Sequence, residues 1–362
     1  MIRYGIVGCG AIFPVHAEAL AQIDDAELKA VYDVVRERAC EGGERFGCFA
    51  ANSLDELYGL CGAVIVCTPS GYHAQVGVQA ANAGKHVLVE KPIDTTLEKA
   101  QELVGAAKQA GVKLATISQH RFATPIQRTR EAAQSGELGD LLAGDATIKW
   151  YRTQAYYDSG DWRGTKELDG GGCLMNQGIH MIDMIQWIMG GIKSVQAQIR
   201  TAAHDIEVED VAQALVEYKI GATGVIYGST SFFPGMAERL EVHGKHGSIV
   251  LEMDRVKMWK SDSAAAGEGL YGGGVMAQPT PTQHGAGLNE AELIAACAED
   301  PSCTWGEQHR LQLQDFTKAV ADDREPFITG EASLEPLKVI LAIYRSAADG
   351  GRRVELQPNS IR

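Results

Sequence analysis

The first 120 residues alternate between two kinds of apolar pattern, and that alternation most constrains what the chain can fold into. Short, nearly continuous and largely β-branched runs fall at 3–7, 28–32, 63–67, 86–89 and 112–117. A strand that is apolar on both faces has to be covered on both, as in a parallel sheet flanked by helices. Between the runs, apolar residues at helical spacing predict helices over 15–23, 34–46, 72–83 and 95–110. Thr95 or Asp94 can cap the last of these, with Glu98 following. Such an alternation specifies an α/β class, a doubly wound parallel sheet with right-handed crossovers.

After Gly136 the rhythm changes. A strand-like stretch at 141–153 leads into an irregular segment rich in Tyr, Trp and Gly, then a helix at 176–189. Runs at 195–201, 208–218, 223–231, 238–243 and 248–253 have the alternating character of an open, mostly antiparallel sheet with one covered face. Segment 261–287 is rich in Gly, Ala, Pro and Ser and is expected to be a loop. Two helices, 305–322 and 334–349, follow, the second stopped by Gly350-Gly351. The expected division is therefore 1–122, a dinucleotide-binding domain, and 123–362, an α+β domain for substrate binding and oligomerisation.

Composition enters chiefly by exclusion. A formal net charge of -14 opposes nucleic acid or an anionic membrane as partner. No apolar run approaches the roughly 20 residues of a membrane helix, and the N-terminus enters a strand without a leader pattern. The eight cysteines include no C-x-x-C pair, so neither a zinc site nor a disulfide framework is expected, and free thiols fit a cytoplasmic protein.

Gly8-Cys9-Gly10-Ala11-Ile12-Phe13 lies directly between the first strand and the first helix. In that context Gly8 makes the tight turn, while Gly10 lets backbone N–H groups at Ala11 and Ile12 approach a pyrophosphate. The third glycine position is Phe13, which sets the helix farther from the strand or starts it differently. Asp33, at the end of the second strand, can accept from ribose hydroxyls, and its charge favours NAD over NADP. Arg36 and Arg38 nearby soften that preference. Together these features specify a Rossmann sheet with NAD as cofactor. Thr68 and Pro69, at the end of the third apolar run, are expected along the same crevice, where ligands bind outside strand carboxyl ends. His73 either faces the cofactor or lies at the surface.

Glu90-Lys91-Pro92 ends the fourth run on that same edge, and proline raises the chance of a cis bond. A partly desolvated lysine falls from about 10.4 toward neutrality, which suits proton exchange with a hydroxyl or carbonyl oxygen. Farther on, Asn176, His180, Asp183 and Trp187 share one helical stripe just after Gly170-Gly171-Gly172. His180 can act as acid/base or bind a substrate hydroxyl, and Asn176 can orient another. Asp183 reads equally as a structural partner.

At these residues the chain resembles the Gfo/Idh/MocA family, named for glucose–fructose oxidoreductase, inositol dehydrogenase and a rhizopine-catabolism protein. The likeness runs through Gly8-x-Gly10, His16–Leu20, Asp33, Thr68-Pro69, Glu90-Lys91-Pro92, Gly170–Asp183, Glu207–Asp210, His309–Phe316 and Ala342–Ala347. It implies NAD bound by the first domain, among others by Glu90 and Lys91, and Lys91 and His180 as the catalytic pair. Many members carry Asp four residues before the histidine, where this chain has Asn176, so one possible base is absent. Tyr151–Tyr157, Trp162-Arg163 and Asn176–His180 resemble the branch that includes UDP-N-acetylglucosaminuronate 3-dehydrogenases. That likeness implies that Trp162 and Arg163 contact cofactor, and that Arg152, Tyr157, Arg163 and Asn176 border the substrate. The implied activity is hydride transfer between nicotinamide and a ring hydroxyl or keto carbon of a sugar, sugar acid, nucleotide-sugar or cyclitol. The implied assembly is a homodimer or homotetramer, with no metal. The same fold also supports a redox-neutral NAD-dependent glycosidase and a non-enzymatic NAD-sensing regulator.

Overall fold

The structure, a computed structural model, describes residues 1–261 and 306–356. These form two compact units, one of 1–119, 160–171 and 306–337, the other of 120–159, 172–261 and 338–356.

The first unit opens with β1 (Ile2–Val7), α1 (Phe13–Leu20), β2 (Ala26–Tyr32), α2 (Arg36–Phe46) and β3 (Phe49–Ala50). It continues with α3 (Leu54–Leu60), β4 (Ala63–Val66), α4 (His73–Asn82), β5 (His86–Val89), α5 (Leu97–Ala110) and β6 (Leu114–Thr116). The sheet runs β3-β2-β1-β4-β5-β6, parallel throughout. All four residues of β4 are fully buried, as both-face burial requires. The short β3 and α3 are additions to the elements expected from periodicity. Two and seven residues are too few to carry a period, although Ser53 caps α3 by accepting from the Glu56 N–H. The cap of α5 is Thr96 rather than Thr95 or Asp94. Asp94 is fully buried, and its carboxylate accepts from Ala74 N and Thr95 N, tying the start of α4 to the loop before α5.

The second unit begins with α6 (Thr124–Ser135), β7 (Leu141–Lys149) and α7 (Gln154–Asp158). A single π-helical turn, Cys173–Gly178, runs into α8 (Ile179–Ile188). The strands β8 (Ile192–Arg200), β9 (Val211–Tyr218), β10 (Thr223–Ser229), β11 (Arg239–Gly244), β12 (Gly247–Glu252) and β13 (Arg255–Ser261) follow. With β14 (Val354–Glu355) at one edge, the sheet order is β13-β12-β11-β7-β10-β9-β8-β14. Only β7 and β10 pair in parallel; every other neighbour is antiparallel. Gly144, Ala146 and Ile148 of β7 point to the covered face, and α8 packs against it. The loop expected over 261–287 lies outside the described residues apart from Ser261.

The chain then returns to the first unit with α9 (Gly306–Ala321) before α10 (Leu334–Ala348). A boundary at 122/123 leaves α9 in the second domain, whereas the fold places it with the first. Leu313 and Phe316 are fully buried in one cluster with Tyr4, Ile6, Phe13 and Leu20. The Tyr4 and Thr317 hydroxyls are 2.7 Å apart, and Gln312 bridges Thr116 O and Ser118 N at the end of β6. Residues 160–171 join the same unit through Gly71 N, which donates to Leu168 O at 2.9 Å.

Candidate active site

At the carboxyl end of β1, Gly8 has φ +98°, and a Cβ there would lie 2.5 Å from the Cys67 carbonyl oxygen. Only glycine lets the turn pass so close to the end of β4. Gly10, in contrast, is exposed, and a Cβ on it would meet nothing within 4 Å. The N–H groups of Gly10, Ala11 and Ile12 take no backbone acceptor among the described residues. Asp33 braces the turn: Oδ2 accepts from Cys9 N and Oδ1 from Val35 N, each at 2.8 Å. A carboxylate has about four acceptor positions, so both oxygens keep capacity for a ligand. Phe13 is absorbed on the far side of α1. Its ring packs edge-on to Phe46 at 5.2 Å and fills the space over Gly42, where a Cβ would approach to 2.9 Å. The buried Thr68 Oγ1 has no hydrogen-bond partner among the described residues. Open space above a glycine, uncommitted donors at a helix start and an acid on the next strand fit a dinucleotide.

The next strand end holds Glu90, Lys91 and a cis Lys91–Pro92 peptide. Lys91 is half-buried at the carboxyl end of β5, on the same sheet edge as Gly8 and Thr68. Glu90 is expected against the cofactor, but its carboxylate is turned inward. Oε1 lies 2.7 Å from His16 Nε2, and Oε2 accepts from Lys91 N. Burial alone would raise this carboxyl; the His16 hydrogen bond, with the charges of His16, His309 and Lys91, outweighs it and holds the group at about 2. His73 is neither at the surface nor turned outward. It is 1% exposed, and its two ring nitrogens lie 2.6 and 2.8 Å from the Pro92 and Thr68 carbonyl oxygens. Burial lowers its pKa. Glu90 and His73 thus hold the Lys91 turn from beneath. Arg36 donates to Ala50 O and Ala51 O, which ties it to the backbone rather than to a phosphate. Trp162 and Arg163, both half-buried, stack with the guanidinium 4.6 Å from the ring. Asp169 accepts from Gly164 N and fixes their loop.

In the second unit, Gly172 is pressed against the backbone before β9: a Cβ would lie 1.7 Å from Glu209 O. The Glu209 carboxylate accepts from Gly172 N, Leu174 N and the Tyr344 hydroxyl, fastening the start of the π-helical turn. Asn176 sits within that turn and His180 on the first turn of α8, both half-buried. Asp183 is a structural partner: Arg121 donates to it with two nitrogens, Nε at 2.7 Å, deep in the unit. Trp187 lies under both Arg121 and Arg130. Tyr157, expected at the substrate, is 4% exposed with its hydroxyl 2.7 Å from Thr230 Oγ1. Arg152 lies over the rings of Trp150 and Tyr156 and donates to Tyr151 O.

The group that sequence reasoning missed surrounds His180. His120, just after β6, packs its ring against His180 at 4.9 Å and is hydrogen-bonded to Asp254. Burial pulls His120 down, but the Asp254 carboxylate prevails and holds it at about 9. Gln119-His120-Arg121-Phe122, directly after the last parallel strand, is the signal that could have flagged it.

Two family descriptions match the chain: an oxidoreductase family with an NAD-binding Rossmann fold over 2–118, and a GFO/IDH/MocA C-terminal domain over 126–250. Myo-inositol 2-dehydrogenase of Thermotoga maritima is 31% identical over 269 residues, 68% of this chain and 74% of that one. 1,5-Anhydro-D-fructose reductase of Ensifer adhaerens is 27% identical over 97% of both chains. The WlbA dehydrogenase of Bordetella pertussis, solved in complex with NADH and UDP-GlcNAcA, superposes with a TM-score of 0.84 at 31% identity. That match covers 99% of this chain and 98% of the other. The chain belongs to the GFO/IDH/MocA family and is an NAD-dependent oxidoreductase.

Proposed function

We propose that this chain oxidises a ring hydroxyl of a sugar derivative, and that a UDP-linked sugar acid is its best substrate class. The observation that carries the reading is the near full-length likeness to the Bordetella dehydrogenase bound to NADH and UDP-GlcNAcA. NAD bound there would supply the hydride acceptor for the carbinol carbon, and NADH the donor for the reverse reaction. Gly8, Gly10, Ala11, Ile12 and Asp33 hold the dinucleotide, with Thr68 and Pro69 beside them, and Trp162 and Arg163 line it. Lys91 or His180 takes the hydroxyl proton as the carbonyl forms, and a lysine ammonium also stabilises the alkoxide character that develops. Asn176, Arg152 and Arg163 contact the sugar.

Leu215 and Val225 support self-association. They pair directly across β9 and β10 and stand 61% and 36% exposed on the open face of the sheet. Among the described residues no helix is long and apolar enough to cross a membrane, and a cytoplasmic location remains part of the proposal.

The test is absorbance of reduced nicotinamide with purified protein, NAD, and UDP-GlcNAcA, myo-inositol or free hexoses. A rise with UDP-GlcNAcA supports the reading. A rise with inositols or free sugars alone moves the substrate class. Demonstrable NAD binding with no rise from any of them favours the redox-neutral or regulatory alternative.

A further inference from the structure

At the start of β11 the second unit holds a carboxyl that no role above uses. Glu238 is 9% exposed, and its side chain takes no hydrogen bond among the described residues. One oxygen lies within 4.8 Å of ring-nitrogen and carboxylate atoms of His120 and Asp254. Three stretches distant in sequence therefore converge: the segment after β6, the lead into β11, and the turn between β12 and β13. Asp254 and His120 already satisfy one another, and the His120 ring rests on His180. Desolvation pushes Glu238 up to about 7, with the charges of His120 and Arg152 opposing and that of Asp254 adding to the rise. Burial of this carboxyl carries a desolvation cost that no described residue offsets with a hydrogen bond. The carboxyl is one ring removed from the candidate acid/base, because His120 lies between it and His180, and it is placed to take a donor from a ligand.

We propose that Glu238 is a specificity-determining residue that accepts hydrogen bonds from hydroxyl or amide donors on the substrate ring, next to His180. The inference rests on the sugar-oxidoreductase reading above for its ring substrate. Two carboxylate oxygens accept a pair of adjacent hydroxyls in bidentate fashion. The His120–Asp254 pair lies close to the carboxyl and is engaged with itself. The three side chains are also an N/O set of the kind that divalent cations use. The engagement of the His120 nitrogen by Asp254, and the positive charge it carries at neutral pH, oppose a metal there.

The experiment compares wild type, Glu238→Ala and Glu238→Gln as full-length proteins with NADH present. The probes are UDP-GlcNAcA, D-glucose, myo-inositol and UDP-glucose with their monodeoxy analogues, with Kd measured by calorimetry. We expect Glu238→Ala to weaken the best probe about 10- to 100-fold, and Glu238→Gln less, since it keeps one acceptor oxygen. One deoxy analogue should already show this loss on wild type and lose nothing further on Glu238→Ala. Both variants should melt at or above the wild-type temperature, because a buried carboxyl with no hydrogen bond from the described residues has gone. Affinities within about twofold for every probe would overturn the proposal. So would a lower melting temperature with unchanged affinity, which marks a structural residue. Stoichiometric binding of zinc, manganese or magnesium lost in Glu238→Gln would replace it with a cation site, and no probe binding by wild type would also overturn it. If wild type binds a probe but oxidises none, the oxidoreductase reading falls alone and the Kd comparison still decides the role of Glu238.

Discussion

The two units build their functional groups in opposite ways. In the first, Gly8, Asp33, Thr68 and Lys91 each follow the end of a parallel strand, and strand register alone lines them up. In the second, His120, His180, Glu238 and Asp254 come from stretches up to 134 residues apart and meet only through tertiary packing. A site made by register depends on backbone spacing, so one side chain can be exchanged there without displacing the others. One made by convergence depends on the charges holding each other.

The largest expected effect is at Lys91. Lys91→Met should lower turnover about 10²- to 10⁴-fold, the range for losing a positioned acid/base, while titration with NADH shows binding retained. Turnover within tenfold of wild type would leave the proton with His180 and shift the chemistry to the convergent side. Gly172→Ala comes next. Its Cβ collides with Glu209 backbone, so denaturant unfolding should show a loss of more than about 4 kcal/mol, or no folded protein.

Acid stability should separate the units again. Glu90 sits at about 2 in the fold against an ordinary 4.5. A depressed carboxyl adds stability above its unfolded pKa and loses it as pH falls. Roughly 3 kcal/mol should therefore disappear between about pH 4.5 and 2, and Glu90→Gln should flatten that limb. His120 has the opposite sign. Raised from 6.5 to about 9, it stabilises below pH 6.5 and the contribution is lost as pH rises through 9, a limb that His120→Gln should remove. The smallest effect should be Gly10→Ala. With open space around it the fold is undisturbed, yet the methyl intrudes where the dinucleotide approaches, so NADH affinity should drop about tenfold at unchanged melting temperature.

Legibility in the sequence followed the same division. The β-α alternation was legible, and Gly8-x-Gly10, Asp33 and Lys91 could be picked out as candidates because each lies within a few residues of a strand that announces itself. His73 and Glu90 occupy such positions too, but only packing reveals that their polar atoms face inward, toward Thr68, Pro92 and His16. The stripe Asn176–His180–Asp183 was readable as polar residues on one helix. That Asp183 serves Arg121 was not, because the partner lies 62 residues away. Nor could any local pattern disclose Glu238, which looks in the sequence like one more charged residue opening a strand.

The return of α9 to the first unit has a consequence for the order of assembly. A chain made from its N-terminus completes all six parallel strands by residue 116, but Thr317, Leu313 and Phe316 arrive only after residue 306. Until then Tyr4 lacks its hydroxyl partner, and the cluster around Phe13 and Leu20 is missing part of its cover. The nascent protein thus carries an unfinished nucleotide domain from residue 116 until α9 has been made. The helix that closes it, α9, starts at residue 306, long after the last parallel strand ends at 116.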